Sequence, residues 1–86
     1  PPTYKHFVLY LVSTPIGNLG DFSFRAVDTL KNCDYILCED TRHSRILLEH
    51  YGIQVPLRAF HKFNEAKIEE QIVADLKAGK QLALIS

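Results

Sequence analysis

"FVLYLVSTPIGNLGD", residues 7–21, decides how the chain folds. Phe7 to Val12 is a continuous apolar run rich in β-formers, with the length of a strand. Having no polar alternation, it suits burial on both faces of a sheet. The run stops at Ser13-Thr14-Pro15, where the proline removes an amide donor and fixes φ. Gly17 and Asn18 tolerate positive φ, so the segment reads as a rigid turn offering backbone groups to something lying over the sheet. Asp21 or Ser23 then caps a helix running to about Asn32, with Val27 and Leu30 facing inward.

The same unit recurs outward from that stretch. Tyr35 to Cys38 (YILC) is a second short strand. Asp40 or Thr41 caps a helix whose stripe is Leu47, Leu48 and Tyr51, with Gly52 as its C′ residue. Val55-Pro56 precedes a weaker strand, Leu57 to Phe60, which the proline places at a strand start or a sheet edge. Asn64 is an N-cap for a helix with Ile68, Ile72 and Leu76 inside and Glu65, Glu69, Glu70 and Lys77 outside; Gly79 closes it. Gln81 to Ile85 (QLALI) is the fourth strand. The order βαβαβαβ predicts an α/β fold, a mainly parallel sheet with helices on both faces and right-handed crossovers.

Totals bound the rest. With 86 residues there is room for one compact unit, burying roughly 60–65% of the surface of its unfolded chain. Residues 1–6 read as a tail ahead of a domain at 7–86. Ten Lys and Arg balance ten Asp and Glu, so charge alone does not announce nucleic acid, although a local basic patch is compatible with neutrality. Cys33 and Cys38 match neither a zinc spacing nor a disulfide framework and suit a reducing cytoplasm. No run approaches the roughly 20 apolar residues of a membrane span. The sequence stops just after a strand, where α/β proteins place ligand-contacting loops, so the expectation is a fragment of a larger protein.

Ligands of open parallel sheets sit outside the carboxyl ends of the strands. Three such ends lead into unusual polar segments. Ser13 to Asp21 is neither a Walker loop nor G-x-G-x-x-G, and on spacing alone an ordinary strand-to-helix turn is the plainer reading. Glu39-Asp40-Thr41-Arg42-His43 combines carboxylates, a hydroxyl and an arginine at a helix start. Asp40 there is a cap, a general base or a hydroxyl acceptor, and Arg42 is a surface partner or a fork for phosphate or carboxylate. Magnesium binding by Glu39 and Asp40 is poorly supported, since neighbours on a strand point to opposite faces. Phe60-His61-Lys62-Phe63-Asn64-Glu65 has the aromatics and cation to stack and neutralise a nucleotide, or else core, solvated and capping residues. Residue chemistry by itself reaches a ligand-binding α/β domain.

Three segments carry a resemblance: "LYLVSTPIGNLGDFSFRAVDTL", "CEDTRHSRILLEHYGI" and "HKFNE". Together they resemble the amino-terminal domain of the ribosomal RNA branch of the tetrapyrrole (corrin/porphyrin) methylase superfamily, over nearly the whole chain from Leu9. The resemblance implies S-adenosyl-L-methionine as cofactor, with the loop Thr14, Pro15, Ile16, Gly17 and Asn18 at its cleft. It also implies 2′-O-methylation of a cytidine in 16S rRNA of the small ribosomal subunit, in the cytoplasm, with no metal. Asp40, Thr41, Arg42, His61, Asn64 and Glu65 then line the substrate side. Arg42 and Lys62 are assigned to RNA phosphates, and Asp40 or His61 to the attacking hydroxyl. Ser44 stands where relatives often carry threonine. Such enzymes have two α/β domains, and the D-A-G-T-P-type loop after the fourth strand is absent here. The fragment alone is therefore expected to be inactive and, with its cleft face exposed, to form a homodimer. The alternatives are tetrapyrrole methylation and a non-enzymatic, flavodoxin-like nucleotide-binding module.

Overall fold

A computed structural model describes residues 8–13, 22–60 and 65–85. Four strands and three helices alternate: β1 (Val8–Val12), α1 (Phe24–Lys31), β2 (Tyr35–Cys38), α2 (Thr41–His50), β3 (Leu57–Ala59), α3 (Glu65–Lys77) and β4 (Gln81–Ile85). All pairings are parallel, in the order β1-β4-β2-β3. The last strand thus lies inside the sheet, between the first and second.

This order sets the layers. The first two connections cross the sheet in one direction and the third reverses, so right-handed crossovers put α1 and α2 on one face and α3 on the other. Leu30, Leu47, Leu48 and Ile53 accordingly close over Ile36, Cys38, Ala83 and Ile85, with Val12, Ala26 and Val27 at the margin. On the opposite face Ile68, Ile72 and Leu76 cover Tyr35, Leu37 and Leu82. Leu30, Ile36 and Leu82 are completely buried, and truncating any of them to alanine costs about 2–5 kcal/mol.

Local chemistry decides the boundaries. Ser23, rather than Asp21, caps α1, its hydroxyl accepting the Ala26 N–H at 3.0 Å. Asp40, rather than Thr41, caps α2. Gly52 follows α2 at φ 67° and Gly79 follows α3 at φ 89°, the left-handed conformation in which glycine avoids a Cβ penalty. Pro56 leads into β3 at one edge of the sheet, as expected.

One expectation is corrected. β1 is the other edge strand and is not buried on both faces: Leu9 and Leu11 are 40% and 76% exposed. Tyr10 and Val12 share the face of α1, whereas Leu9 and Leu11 share the face of α3. That helix lies over β2 and β4 and leaves them bare.

Candidate functional site

Strand register brings the carboxyl ends together. Val12 pairs with Ile85, Ile85 with Cys38, and Cys38 with Ala59, so all four strands finish level along one edge. The ladder continues one step further, the Phe60 N–H donating to the Cys38 carbonyl at 2.7 Å. Next to each other, β2 leads to a helix on one face and β3 to a helix on the other. That reversal defines a topological switch point, where the loops diverge and leave a crevice for a ligand. The polar segment 39–43 leaves the sheet on one side of it, and β3 ends beside it on the other.

The β2 side is built from a cap. Asp40 has extended backbone, φ −120° and ψ 106°, and its Oδ1 accepts the Arg42 N–H at 3.0 Å. That bond, the His43 N–H and the Arg42 guanidinium hold the Asp40 carboxyl below the usual carboxylate range against a smaller opposing effect of desolvation. Asp40 is therefore anionic at neutral pH, and its freedom to accept a proton is reduced. Arg42 Nε lies 3.6 Å from Asp40 Oδ1, yet the Arg42 side chain is 93% exposed. A surface pair of this kind holds its members weakly and leaves the planar fork available to an anion. Thr41 is half-buried beside it.

Beneath the cap sits a contact that sequence reading passed over. Ser44 is buried, its N–H donates to the Asp40 carbonyl at 3.1 Å, and its side chain acts on the Cys38 thiol, which donates to the Arg58 carbonyl at 3.9 Å. Ser44 thus sits between the start of α2 and the end of β2. Burial pushes the Cys38 thiol up, so it is held as a thiol rather than a nucleophilic thiolate. The sequence signal was a serine four residues after the capping aspartate, on the helix face that also carries Leu47 and Leu48.

Thr14, Pro15, Ile16, Gly17 and Asn18 lie outside the described residues, as do His61, Lys62 and Asn64. Glu65 is described only as the first residue of α3. Of the expected site residues, Asp40, Thr41 and Arg42 are brought together at the switch point. Ser13, exposed at the end of β1, opens onto a groove of about 330 Å³ that Ser23, Arg25 and Thr29 of the α1 side also line. Among the described residues no cluster of His, Cys, Asp or Glu is arranged to hold a metal, and no helix is long and apolar enough to cross a membrane.

Level strand ends, a switch point and a charged, hydroxyl-bearing rim mark the place where α/β domains of the parallel-sheet class bind their ligands. The chain belongs to the tetrapyrrole (corrin/porphyrin) methylase family, whose pattern matches residues 8–86. Ribosomal RNA small subunit methyltransferase I of Mycoplasmopsis pulmonis (strain UAB CTIP) is 54% identical over 78 residues, or 91% of this chain and 35% of the relative. The protein of the same name from Haemophilus influenzae (strain ATCC 51907 / DSM 11121 / KW20 / Rd) is 51% identical over 79 residues, 92% of this chain and 28% of its own length. That of Bacillus subtilis (strain 168) is 49% identical over 79 residues, covering 92% and 27%. The chain thus spans about a third or less of the length of the curated relatives it matches.

Proposed function

We propose that this chain is the amino-terminal domain of an S-adenosyl-L-methionine-dependent methyltransferase. The reading assigns it the 2′-hydroxyl of a cytidine in 16S rRNA of the small ribosomal subunit, in the cytoplasm, with a homodimer as the working unit. The observation that carries it is the roughly half-identical match, over nine-tenths of the chain, to relatives named for ribosomal RNA methylation. The Asp40-Thr41-Arg42 cap at the switch point supports it.

The described rim suits such a cofactor in kind. Ser13 and Thr41 offer hydroxyls, and the ionised Asp40 offers an acceptor and a negative charge toward a cationic sulfonium ligand carrying ribose hydroxyls. When bound, the cofactor supplies the methyl group. Thr14 to Asn18 are assigned to hold it, following directly from β1. We assign Arg42, with its exposed fork, to an RNA phosphate, Lys62 to a second one, and Thr41, Asn64 and Glu65 to hydrogen bonds with the nucleotide.

A ribose hydroxyl is a poor nucleophile near neutral pH, so orientation and proton removal both fall to the site. Asp40 is a weakened base because its carboxylate is already committed to the α2 amides. We assign Asp40 to accept a hydrogen bond from the sugar and hold it in line, and His61 to take the proton, since imidazole titrates close to neutrality.

The test is methyl transfer by the full-length protein from labelled S-adenosyl-L-methionine, with unmodified small subunits in one arm and a tetrapyrrole precursor in the other. Label at a cytidine ribose of 16S rRNA is expected, with none from residues 1–86 alone. Label confined to the macrocycle, or in neither arm, overturns the reading. Arg42→Ala is expected to weaken RNA binding and flatten its salt dependence by about one phosphate contact.

A further inference from the structure

The groove of about 330 Å³ between β1 and α1 differs from its neighbours in charge. Its polar lining is Ser13, Ser23, Arg25 and Thr29, with Tyr10 from β1, and no described carboxylate lines it. Other grooves mix their charges: Arg45 shares one with Glu49, and Lys77 shares another with Glu69 and Glu70. Toward the amino ends of the strands Asp28 and Asp34 line a larger groove of about 560 Å³, which has Tyr10 and Thr29 in common with the first. Along β1 and α1, therefore, the carboxylates lie in one groove and the arginine in the other.

The donors of the smaller groove are unspent. Arg25 is exposed and has no ion pair among the described residues, Asp28 three positions along the helix included. Ser23 Oγ accepts the Ala26 N–H at 3.0 Å, which fixes the side chain and leaves its hydroxyl hydrogen free to donate. A planar guanidinium and several hydroxyls around one concavity match an oxyanion, which accepts several hydrogen bonds at once. The location agrees with the chemistry. Ser13 follows β1 at the edge where all four strands finish level. Only β4 separates β1 from β2, so the end of β1 stands two strand spacings, about 10 Å, from the strand end that carries Asp40. A ligand lying across the strand ends can therefore reach both.

We propose that Arg25, with the hydroxyls of Ser13, Ser23 and Thr29, holds an oxyanion of the ligand at the strand ends, either a phosphate of the RNA or the carboxylate of the cofactor. This rests on the reading of the strand ends as the site for both. It adds an anion contact on the β1 side to the one assigned to Arg42 on the β2 side.

The experiment uses the full-length protein and two variants. Arg25→Gln removes the charge, and Ser23→Asp keeps a capping side chain on α1 but sets a carboxylate in the groove. Both are expected to melt with the wild type. Binding is measured for a fluorescein-labelled single-stranded oligoribonucleotide over a salt series, and for S-adenosyl-L-methionine by calorimetry. If the oxyanion is an RNA phosphate, both variants bind RNA more weakly, Arg25→Gln by roughly tenfold, with cofactor affinity unchanged. The slope of log affinity against log salt is then shallower by about 0.7 in Arg25→Gln. If it is the cofactor's carboxylate, Arg25→Gln binds S-adenosyl-L-methionine roughly tenfold more weakly, while wild type and variant bind decarboxylated S-adenosylmethionine alike. Wild-type affinity for both ligands in the two variants overturns the inference, as does a loss confined to variants whose melting temperature has fallen. A parent protein that binds neither ligand instead removes the reading on which it stands.

Discussion

Replacing Tyr35 by phenylalanine removes one hydroxyl from the interior and tests how α3 is held to the sheet. Tyr35 opens β2 and is buried; its Oη donates to Asp75 Oδ2 at 2.5 Å. Asp75 is itself buried, and its other oxygen accepts from Gln71 Nε2 at 3.0 Å and lies 3.4 Å from Lys80 Nζ. The Arg58 guanidinium sits 4.4 Å above the Tyr35 ring, a contact that phenylalanine keeps, so the substitution isolates the O–H. Leaving a buried carboxylate oxygen without its donor costs about 2 kcal/mol. For a chain of this size, with a urea dependence of about 1–1.5 kcal/mol/M, the unfolding midpoint falls by roughly 1.5 M.

The cost depends on pH in a defined direction. Chiefly the Tyr35 hydroxyl holds the Asp75 carboxyl below its ordinary range, with Gln71 and Lys80 adding to it against the opposing effect of burial. A folded-state pKa below the unfolded value of about 3.9 contributes stability that is present above that pH and is lost as the pH falls through the folded value. The difference between wild type and Tyr35→Phe should therefore be full at pH 7 and smaller at pH 3. Urea titrations followed by far-UV circular dichroism at both pH values measure it. Coincident midpoints at pH 7, or an equal gap at pH 3, would refute the reasoning.

Two further outcomes follow from the fold. Burial raises the Cys33 and Cys38 thiols, with the Asp34 charge adding to the first and the Asp40 charge to the second. An alkylating reagent at pH 8 should label the folded chain at least roughly a hundredfold more slowly than the urea-unfolded chain, and two thiols reacting at the unfolded rate would contradict this burial. Gly52→Ala should cost about 1 kcal/mol and Gly52→Asn less, because φ is 67° while an added Cβ meets nothing within 4 Å; a neutral alanine in the same urea titration would show that the conformation is not the constraint.

The legible parts of this fold were local. Apolar runs, caps and glycine stops located every strand and helix, because each depends on a few neighbouring residues. Strand order is different: nothing within QLALI states that it lies between β1 and β2. FVLYLV read as doubly buried because an unbroken apolar run cannot distinguish a central strand from an edge strand whose covering helix lies elsewhere. The same distinction applies to the site. Asp40, Thr41 and Arg42 could be found beside a strand end, but their position at a switch point required the faces on which α2 and α3 pack. Asp75 was passed over although it stands seven residues after Ile68, on the inward stripe, where a carboxylate signals a buried donor such as the Tyr35 hydroxyl.

The central position of β4 has a consequence for how the molecule comes into being. During synthesis β1, α1, β2, α2 and β3 all appear before the strand that joins them, and β1 has no strand to pair with until Gln81–Ile85 has left the ribosome. A β2–β3 pair with α2 across it can assemble early, being close in sequence. Completion waits on a contact between the two ends of the described chain, and such distant pairings make folding slow. Until then the edges of β1 and β2 that β4 will occupy stay open to other chains. Substitutions in β4 should therefore lower the yield of folded protein through the rate of assembly as well as through final stability.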